Sequence, residues 1–316
     1  MCTGIKFNDS NDQMFFGRNL DYGIDFGEKP IIAPAGYKME YRNLPAQTLS
    51  KPIIGMGLNI GNYPLFFEGN TSDLCMAGLM FPNNAYYSPE KVEGKYNITS
   101  FEFIVWVLEN FKTVKEAKEV IKDKVNIVNT AFSEQLQPSP THWLISDKND
   151  TIVVEQTKDG MNVYDDEVCT LTNNPQFPWH LQNLDNYVGL TPNDRTSSEW
   201  NRRKVVPQGV GTGSFGLPGD STPQSRFVKA AYLNAVYPTT DTEIEGVSRM
   251  FNILKAVAMP LGSVVNGENQ KEYTMYTACY SQKTQTYYYN RFNDVNIHKA
   301  KLDENNSKGT EIITVD

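Results

Sequence analysis

MCTGIKFNDSNDQMFFGRNLD, residues 1–21, sets two apolar runs on either side of a polar turn. CTGIKF and MFFGRNL are strand-like and NDSND between them is rich in turn formers, so the segment predicts a β-hairpin. Its register would return the Arg18–Asp21 end to the side of Cys2. Cys2 directly follows the initiator, and methionine removal is generally permitted before so small a side chain. Loss of Met1 would leave a thiol and a free α-amine on one residue. An α-amine titrates near pH ~8, low enough to serve as a base at neutral pH. A thiol is a strong nucleophile once its proton is gone. Asp21 could then accept from the amine while Arg18 places a positive charge beside the thiol. The competing reading makes Cys2 the first residue of a buried strand, and Arg18 and Asp21 a surface pair beside a turn.

The 316-residue chain is long enough for one large domain or two ordinary ones. Its 40% apolar and 21% charged composition is that of a globular protein, and its net charge of −8 argues against a nucleic-acid partner. Residues 1–12 lack a charged segment followed by an apolar one, so no secretory signal is visible and a cytoplasmic location is expected. The apolar stretch Phe103–Leu108 is too short to span a bilayer, so no membrane association is expected. Cys2, Cys75, Cys169 and Cys279 form no CxxC pair, and His142, His180 and His298 share no ligand spacing. Reduced thiols, no metal and no cofactor follow as expectations. The histidines are expected to be structural; a Cys–His protease pair with His142 or His180 is the alternative.

Apolar runs at PIIAPAG, PIIGMGL, PLFFEG and CMAGLMF continue the strand pattern to about residue 95. Thr99-x-x-Glu102 and Thr113-x-x-Glu116 then read as capping boxes opening two helices. Strands return at THWLISD, TIVVEQT and MNVYDD. Residues 184–220 read as a long irregular excursion. Two further helices are expected over Ser225–Val236 and Glu243–Ala258, then strands EYTMYTACY and TQTYYYNRF and a polar tail. Strands, helix pair, strands, helix pair, strands fits an α+β sandwich of two antiparallel sheets between two helical layers. One domain over 1–316 (2–316 without Met1) is preferred to two domains split near residue 140, where no linker composition occurs.

Amide cleavage by an N-terminal thiol needs a nucleophile, a base, a group to hold the amine, and donors for the oxyanion. MCTG, FGRNLD, LTNNP at 171–175 and GLPGDSTPQSRF at 216–227 together resemble the choloylglycine hydrolase family across the whole chain. That family comprises bile salt hydrolases and penicillin V acylases within the N-terminal nucleophile hydrolases. The chain is most like its lactobacillus bile salt hydrolases. The resemblance implies the four-layer αββα fold, Cys2 as nucleophile, and Arg18 and Asp21 beside it. It also implies Asn173 as a side-chain oxyanion donor, Arg226 as a second arginine near the thiol, and the backbone N–H of Met80 as a second oxyanion donor.

Ala77-Gly78-Leu79-Met80-Phe81 departs from that family's pattern, in which bile salt hydrolases carry asparagine and penicillin acylases tend to carry tyrosine where this chain has Met80. GNTSDLC likewise lacks the usual turn. By resemblance, the walls of an apolar substrate pocket would include Leu20, Tyr22, Ile24, Phe26, Tyr63, Phe66, Phe132 and Leu136, and Gly209-Val210-Gly211 hints at taurine acceptance. The implied substrates are glycine- or taurine-conjugated bile acids and the implied assembly a homotetramer. A penicillin V or N-acyl-homoserine-lactone acylase of the same family, or a non-catalytic ligand-binding relative, are the alternatives.

Overall fold

The opening hairpin forms because its turn is closed by its own side chains. In the computed structural model, which describes residues 1–315, β1 (Cys2–Asn8) and β2 (Met14–Tyr22) pair antiparallel, with Cys2 opposite Leu20 and Gly4 opposite Arg18. Asp9 Oδ1 accepts from the N–H groups of Asn11 and Gln13, both at 2.8 Å, and Asp12 takes the left-handed conformation at φ 59°. Such aspartate turns supply the bonds a tight connection lacks.

Side chains alternate across the hairpin. Ile5, Phe7 and Phe15 face one core; Cys2, Met14, Phe16 and Leu20 face another. The hairpin sits inside a seven-stranded antiparallel sheet, flanked by Thr170–Leu171 on one side and Lys271–Ser281 on the other, with Thr286–Arg291 and His298–Lys301 beyond. The second sheet has nine strands. Its main path runs Gly160–Asp165, Thr151–Thr157, Thr141–Ser146, Cys75–Met80, Glu68–Asn70, Ile53–Ile60, Lys29–Ala33 and Ile313–Thr314. Both sheets draw strands from both halves of the chain.

Three apolar cores make the layers. Phe16, Leu20, Leu79, Leu144, Tyr276 and Tyr287 fill the space between the sheets. Helices α1 (Phe103–Asn110) and α2 (Val114–Lys124) cover the nine-stranded sheet through Ile104, Leu108, Ile121 and Trp143. After the short helix α3 (Phe177–Leu184), helices α4 (Pro223–Val236) and α5 (Glu243–Ala256) cover the seven-stranded sheet through Phe15, Ala230, Met250 and Leu254. The expected helix–sheet–sheet–helix sandwich is the observed architecture. Among the described residues no helix is long and apolar enough to cross a membrane.

Several elements differ from the sequence reading. The Thr113/Glu116 capping box forms, but Thr99/Glu102 does not act as one. Thr99 ends a strand, Tyr96–Thr99, paired parallel with Val125–Val128. Glu102 is buried and spends one oxygen on Arg42 N–H (2.7 Å) and Tyr63 OH (2.9 Å), long-range bonds that local spacing cannot foresee. The fourth helix starts at Pro223, capped by Thr222, and the fifth stops at Ala256. Helix α3 was not expected, nor were the tail strands His298–Lys301 and Ile313–Thr314. The excursion is irregular apart from a ribbon of Ser198–Trp200 with Arg203–Val205 and two 3-10 turns.

Helix α5 lies close on β2. A Cβ built on Gly17 would stand 2.3 Å from Ala278 O and 2.7 Å from Met250 Sδ; one on Gly246 would stand 2.3 Å from the Phe15 ring. Gly17→Ala therefore forces sheet and helix apart beside Arg18. It is expected to cost about 1–3 kcal/mol, read as a lower urea midpoint with an unchanged m-value; an unchanged midpoint contradicts this packing.

Candidate active site

Alternation along the hairpin decides which groups meet Cys2 from which side. Cys2 and Arg18 are diagonal neighbours on the inter-sheet face, so the guanidinium reaches the thiol. Arg18 Nη2 donates to Cys2 Sγ at 2.7 Å, and Nη1 donates to Gly78 O at 2.8 Å and Phe67 O at 3.1 Å. Glu68 Oε2 stands 3.5 Å from the same Nη1. Glu68 is itself buried and accepts from Tyr276 OH at 2.6 Å and from Tyr287 OH. Burial pushes the Glu68 carboxyl up, while Arg18 and the two tyrosines pull it down. Burial also works against the charge on Arg18, yet Cys2, Tyr276 and Glu68 outweigh it and hold the guanidinium above its ordinary pKa.

The opposite face carries the second arginine. Arg226, in the first turn of α4, donates through Nη1 to Cys2 O (2.6 Å) and Thr3 Oγ1 (2.7 Å), and through Nη2 to Asn173 Oδ1 (2.7 Å). Asp21 Oδ2 lies 3.6 Å from Arg226 Nη1, and Asp21 Oδ1 accepts from Thr274 Oγ1 at 2.5 Å. Burial lowers the Arg226 pKa against the pull of Asp21 and Cys2. Met1 prolongs the hairpin ladder: its carbonyl accepts from Asp21 N–H at 2.8 Å and its amine donates to Asp21 O. With Met1 in place the Cys2 nitrogen is a peptide N–H, and it bonds Asn173 Oδ1 at 2.9 Å rather than the Asp21 carboxylate.

Asn173 is thus gripped through its oxygen by Cys2 and Arg226, and its Nδ2 donates to Met80 O at 2.7 Å. Phe81 N–H bonds Pro140 O at 2.7 Å, so the ladder's alternation turns the Met80 peptide groups to the other edge of the strand, where Gly78 O meets Arg18. The Met80 N–H faces that edge. The main chain of Met80, and not its side chain, makes the contact with Asn173.

Cys2, Arg18 and Met80 form the foot of a cleft holding about 970 Å³ of empty space, its mouth included. Leu20, Tyr22, Phe26, Phe66, Phe132 and Leu136 line it. Ile24 and Tyr63 do not. Ile24 is 41% exposed, and Tyr63 stands behind the wall, 5.4 Å from the Phe132 ring with its hydroxyl on Glu102. Ser100, Phe101, Ile104, Pro138, Ser139 and Trp143 also line the cleft and were missed. They belong to the approach to and first turn of α1, the end of the 129–140 loop and the strand Thr141–Ser146, where local sequence gives no sign of a shared cleft. Val210 lies on the exposed excursion and does not line the cleft.

His142 and His180 do not touch the thiol. His142 bonds Glu155 Oε1 (3.0 Å) and Thr172 O (3.1 Å), and His180 bonds Asn173 O (2.9 Å). The Cys–His pairing is therefore not what this site uses. Burial pushes the thiols of Cys75, Cys169 and Cys279 up, and none of the three lines the cleft.

Residues 2–315 match the family described as linear amide C–N hydrolases, choloylglycine hydrolase family. The chain belongs to the choloylglycine hydrolases. It is 49% identical to the conjugated bile acid hydrolase of Lactobacillus acidophilus and 50% identical to that of Lactobacillus gasseri, each alignment covering 99% of this chain and all of the relative. The crystal structure of the C2A mutant of the Clostridium perfringens conjugated bile acid hydrolase superposes with a TM-score of 0.92 at 37% identity, covering 100% of this chain and 97% of that one. Penicillin V acylase from Agrobacterium tumefaciens shares the fold, with a TM-score of 0.77 at 18% identity over 98% of this chain and 90% of that one.

In this choloylglycine hydrolase, burial draws the His180 pKa down to about 4. An unfolded histidine titrates near pH ~6.5, so the unfolded chain binds a proton that the native one refuses. The stability this group contributes is complete above pH ~6.5 and is lost as the pH falls towards about 4. His180→Phe removes that loss. Its deficit in Tm against the wild type is expected to shrink from pH 7 to pH 4.5; a deficit independent of pH contradicts the assignment.

Proposed function

We propose that this protein hydrolyses the amide of glycine- or taurine-conjugated bile acids, with Cys2 as the N-terminal nucleophile. The observation that carries the reading is a thiol held by a buried guanidinium at the foot of an aromatic cleft. The apolar, aromatic wall suits a steroid nucleus, and the amide would lie across Cys2. Likeness to conjugated bile acid hydrolases at about half identity supports the same substrate class.

Loss of Met1 turns the Cys2 nitrogen into an α-amine and frees the Asp21 main chain that Met1 occupies. Asp21 Oδ2, buried and without a hydrogen-bond partner, stands ready on that side to accept from the ammonium. The neutral amine takes the Sγ proton, and the thiolate attacks the amide carbon while Arg18 stays paired with the sulfur. The carbonyl electrons move to oxygen, where the second Asn173 Nδ2 hydrogen and the Met80 N–H stabilise the charge. Collapse expels glycine or taurine, which takes its proton from the α-ammonium. Water, deprotonated by the same amine, then cleaves the thioester, releasing the free bile acid and the thiol.

We read residues 1–316 as one domain, since the inter-sheet core draws on both halves of the chain. A cytoplasmic homotetramer completes the proposal, and light scattering on the purified protein tests the assembly. Met80 at the cleft foot favours a second reading, an acylase for penicillin V or N-acyl-homoserine lactones, because it removes the family asparagine amide from beside the scissile bond.

Initial rates on taurocholate, glycocholate and penicillin V, with Cys2→Ala as control, separate these readings. Both bile salts are expected to turn over at least ~10-fold faster than penicillin V, and Cys2→Ala to lose ~10³-fold or more. Preferred cleavage of penicillin V transfers the enzyme to the second reading. Tight bile-salt binding without an acyl-Cys2 adduct by mass spectrometry makes the protein a ligand-binding relative.

A further inference from the structure

Strand Thr170–Leu171 pairs with β1 only at Gly4 and Ile5, so the chain beyond it leaves the sheet just before Asn173. The carbonyls of Thr172 and Asn173 therefore lie outside the ladder with Gly4 and Ile5, and each is met by an imidazole instead. His142 Nε2 bonds Thr172 O at 3.1 Å, and His180 Nε2 bonds Asn173 O at 2.9 Å.

Both rings are themselves fixed. His142 stacks on Phe81 at 4.3 Å with 6° between planes, and its Nδ1 meets Glu155 Oε1, which also accepts Phe177 N–H at 3.0 Å. Glu155 thus fixes the His142 ring from the Nδ1 side while Nε2 meets Thr172 O. His180 stacks on Phe227 at 4.5 Å, and its Nδ1 is buried with no partner. Carrying its one proton on Nε2 satisfies the Asn173 carbonyl and leaves Nδ1 bare, a cost this site accepts to hold that bond.

We propose that His142 and His180 are positioning residues that set the Asn173 amide against the oxyanion. The inference rests on the reading of Asn173 as an oxyanion donor given above. The side chain of Asn173 is tied to Cys2, Arg226 and Met80, but its main chain would pivot without the two imidazoles. Misplacing a donor of this kind by about 1 Å costs up to ~10²-fold in rate while leaving substrate binding alone.

The test is a double-mutant cycle between His180→Phe and Asn173→Ala, on whichever amide the wild type cleaves. His180→Phe keeps the stack on Phe227 and donates nothing. It is expected to lower kcat ~10- to 100-fold with KM within ~2-fold, and iodoacetamide should alkylate Cys2 at the wild-type rate. In the Asn173→Ala background the same change should cost less than ~2-fold, because the group it positions is gone. His180→Gln, which can donate to the same carbonyl, should recover kcat to within ~3-fold of wild type. An equal loss in both backgrounds, an unchanged kcat, or failure of glutamine to rescue overturns the proposal. If His180→Phe does not fold, His142→Phe, which keeps the stack on Phe81 and donates nothing, enters the same cycle with the same two outcomes. A wild type that cleaves none of these amides overturns the underlying reading; an active wild type with an additive cycle overturns only the positioning role.

Discussion

A guanidinium buried between two sheets must find an acceptor for its donors, and Arg18 does so by tying the sheets together at the thiol. Its partners come from the hairpin (Cys2 Sγ) and from the facing sheet (Gly78 O, Phe67 O and Glu68). Burial of an unpaired charge would be prohibitive, so the inter-sheet core and these partners are stable only together. The site is thus not an ornament on a finished sandwich. Its geometry and the contact between the two sheets are one arrangement, which is why Cys2 belongs to the same core as Leu144 and Tyr276.

The strand period divides the labour around Cys2. Arg18 meets sulfur from the inter-sheet face, while Arg226, paired with Asp21, meets the main-chain carbonyl of Cys2 from the helix face. Asn173 accepts from the peptide N–H of Cys2. One cysteine is therefore held at three different atoms by three different elements. A thiol so held suits attack on a substrate that the aromatic wall has already oriented.

Much of this was legible in the chain. The hairpin could be read from Asn8–Asp12 because an aspartate turn and period-2 flanks are local features, and its register places Arg18 near Cys2. The Thr113/Glu116 helix start is local too, and it formed. Thr99/Glu102 has the same spacing, yet Glu102 is used by Arg42 and Tyr63 from distant segments. The edge strands of the tail are polar and short, with pairing supplied entirely by partners such as Ile31 and Ile32. Asn173 and Arg226 were identified through motif resemblance alone, since no local pattern reports that LTNNP and α4 converge on β1. Glu68, His142 and His180 carried no readable signal beyond being polar residues within or beside apolar runs. Their roles arise only when strands far apart in sequence become neighbours.

The central claim is that nucleophile and base reside on one residue, exposed by loss of Met1. The most direct measurement compares two preparations of the same chain, one processed to Cys2 and one retaining Met1 by intact mass, for steady-state hydrolysis of taurocholate. The account predicts turnover in the processed protein and at most background in the retained one, whose Cys2 nitrogen is an amide bonded to Asn173. Equal turnover by the Met1-retained protein would contradict it.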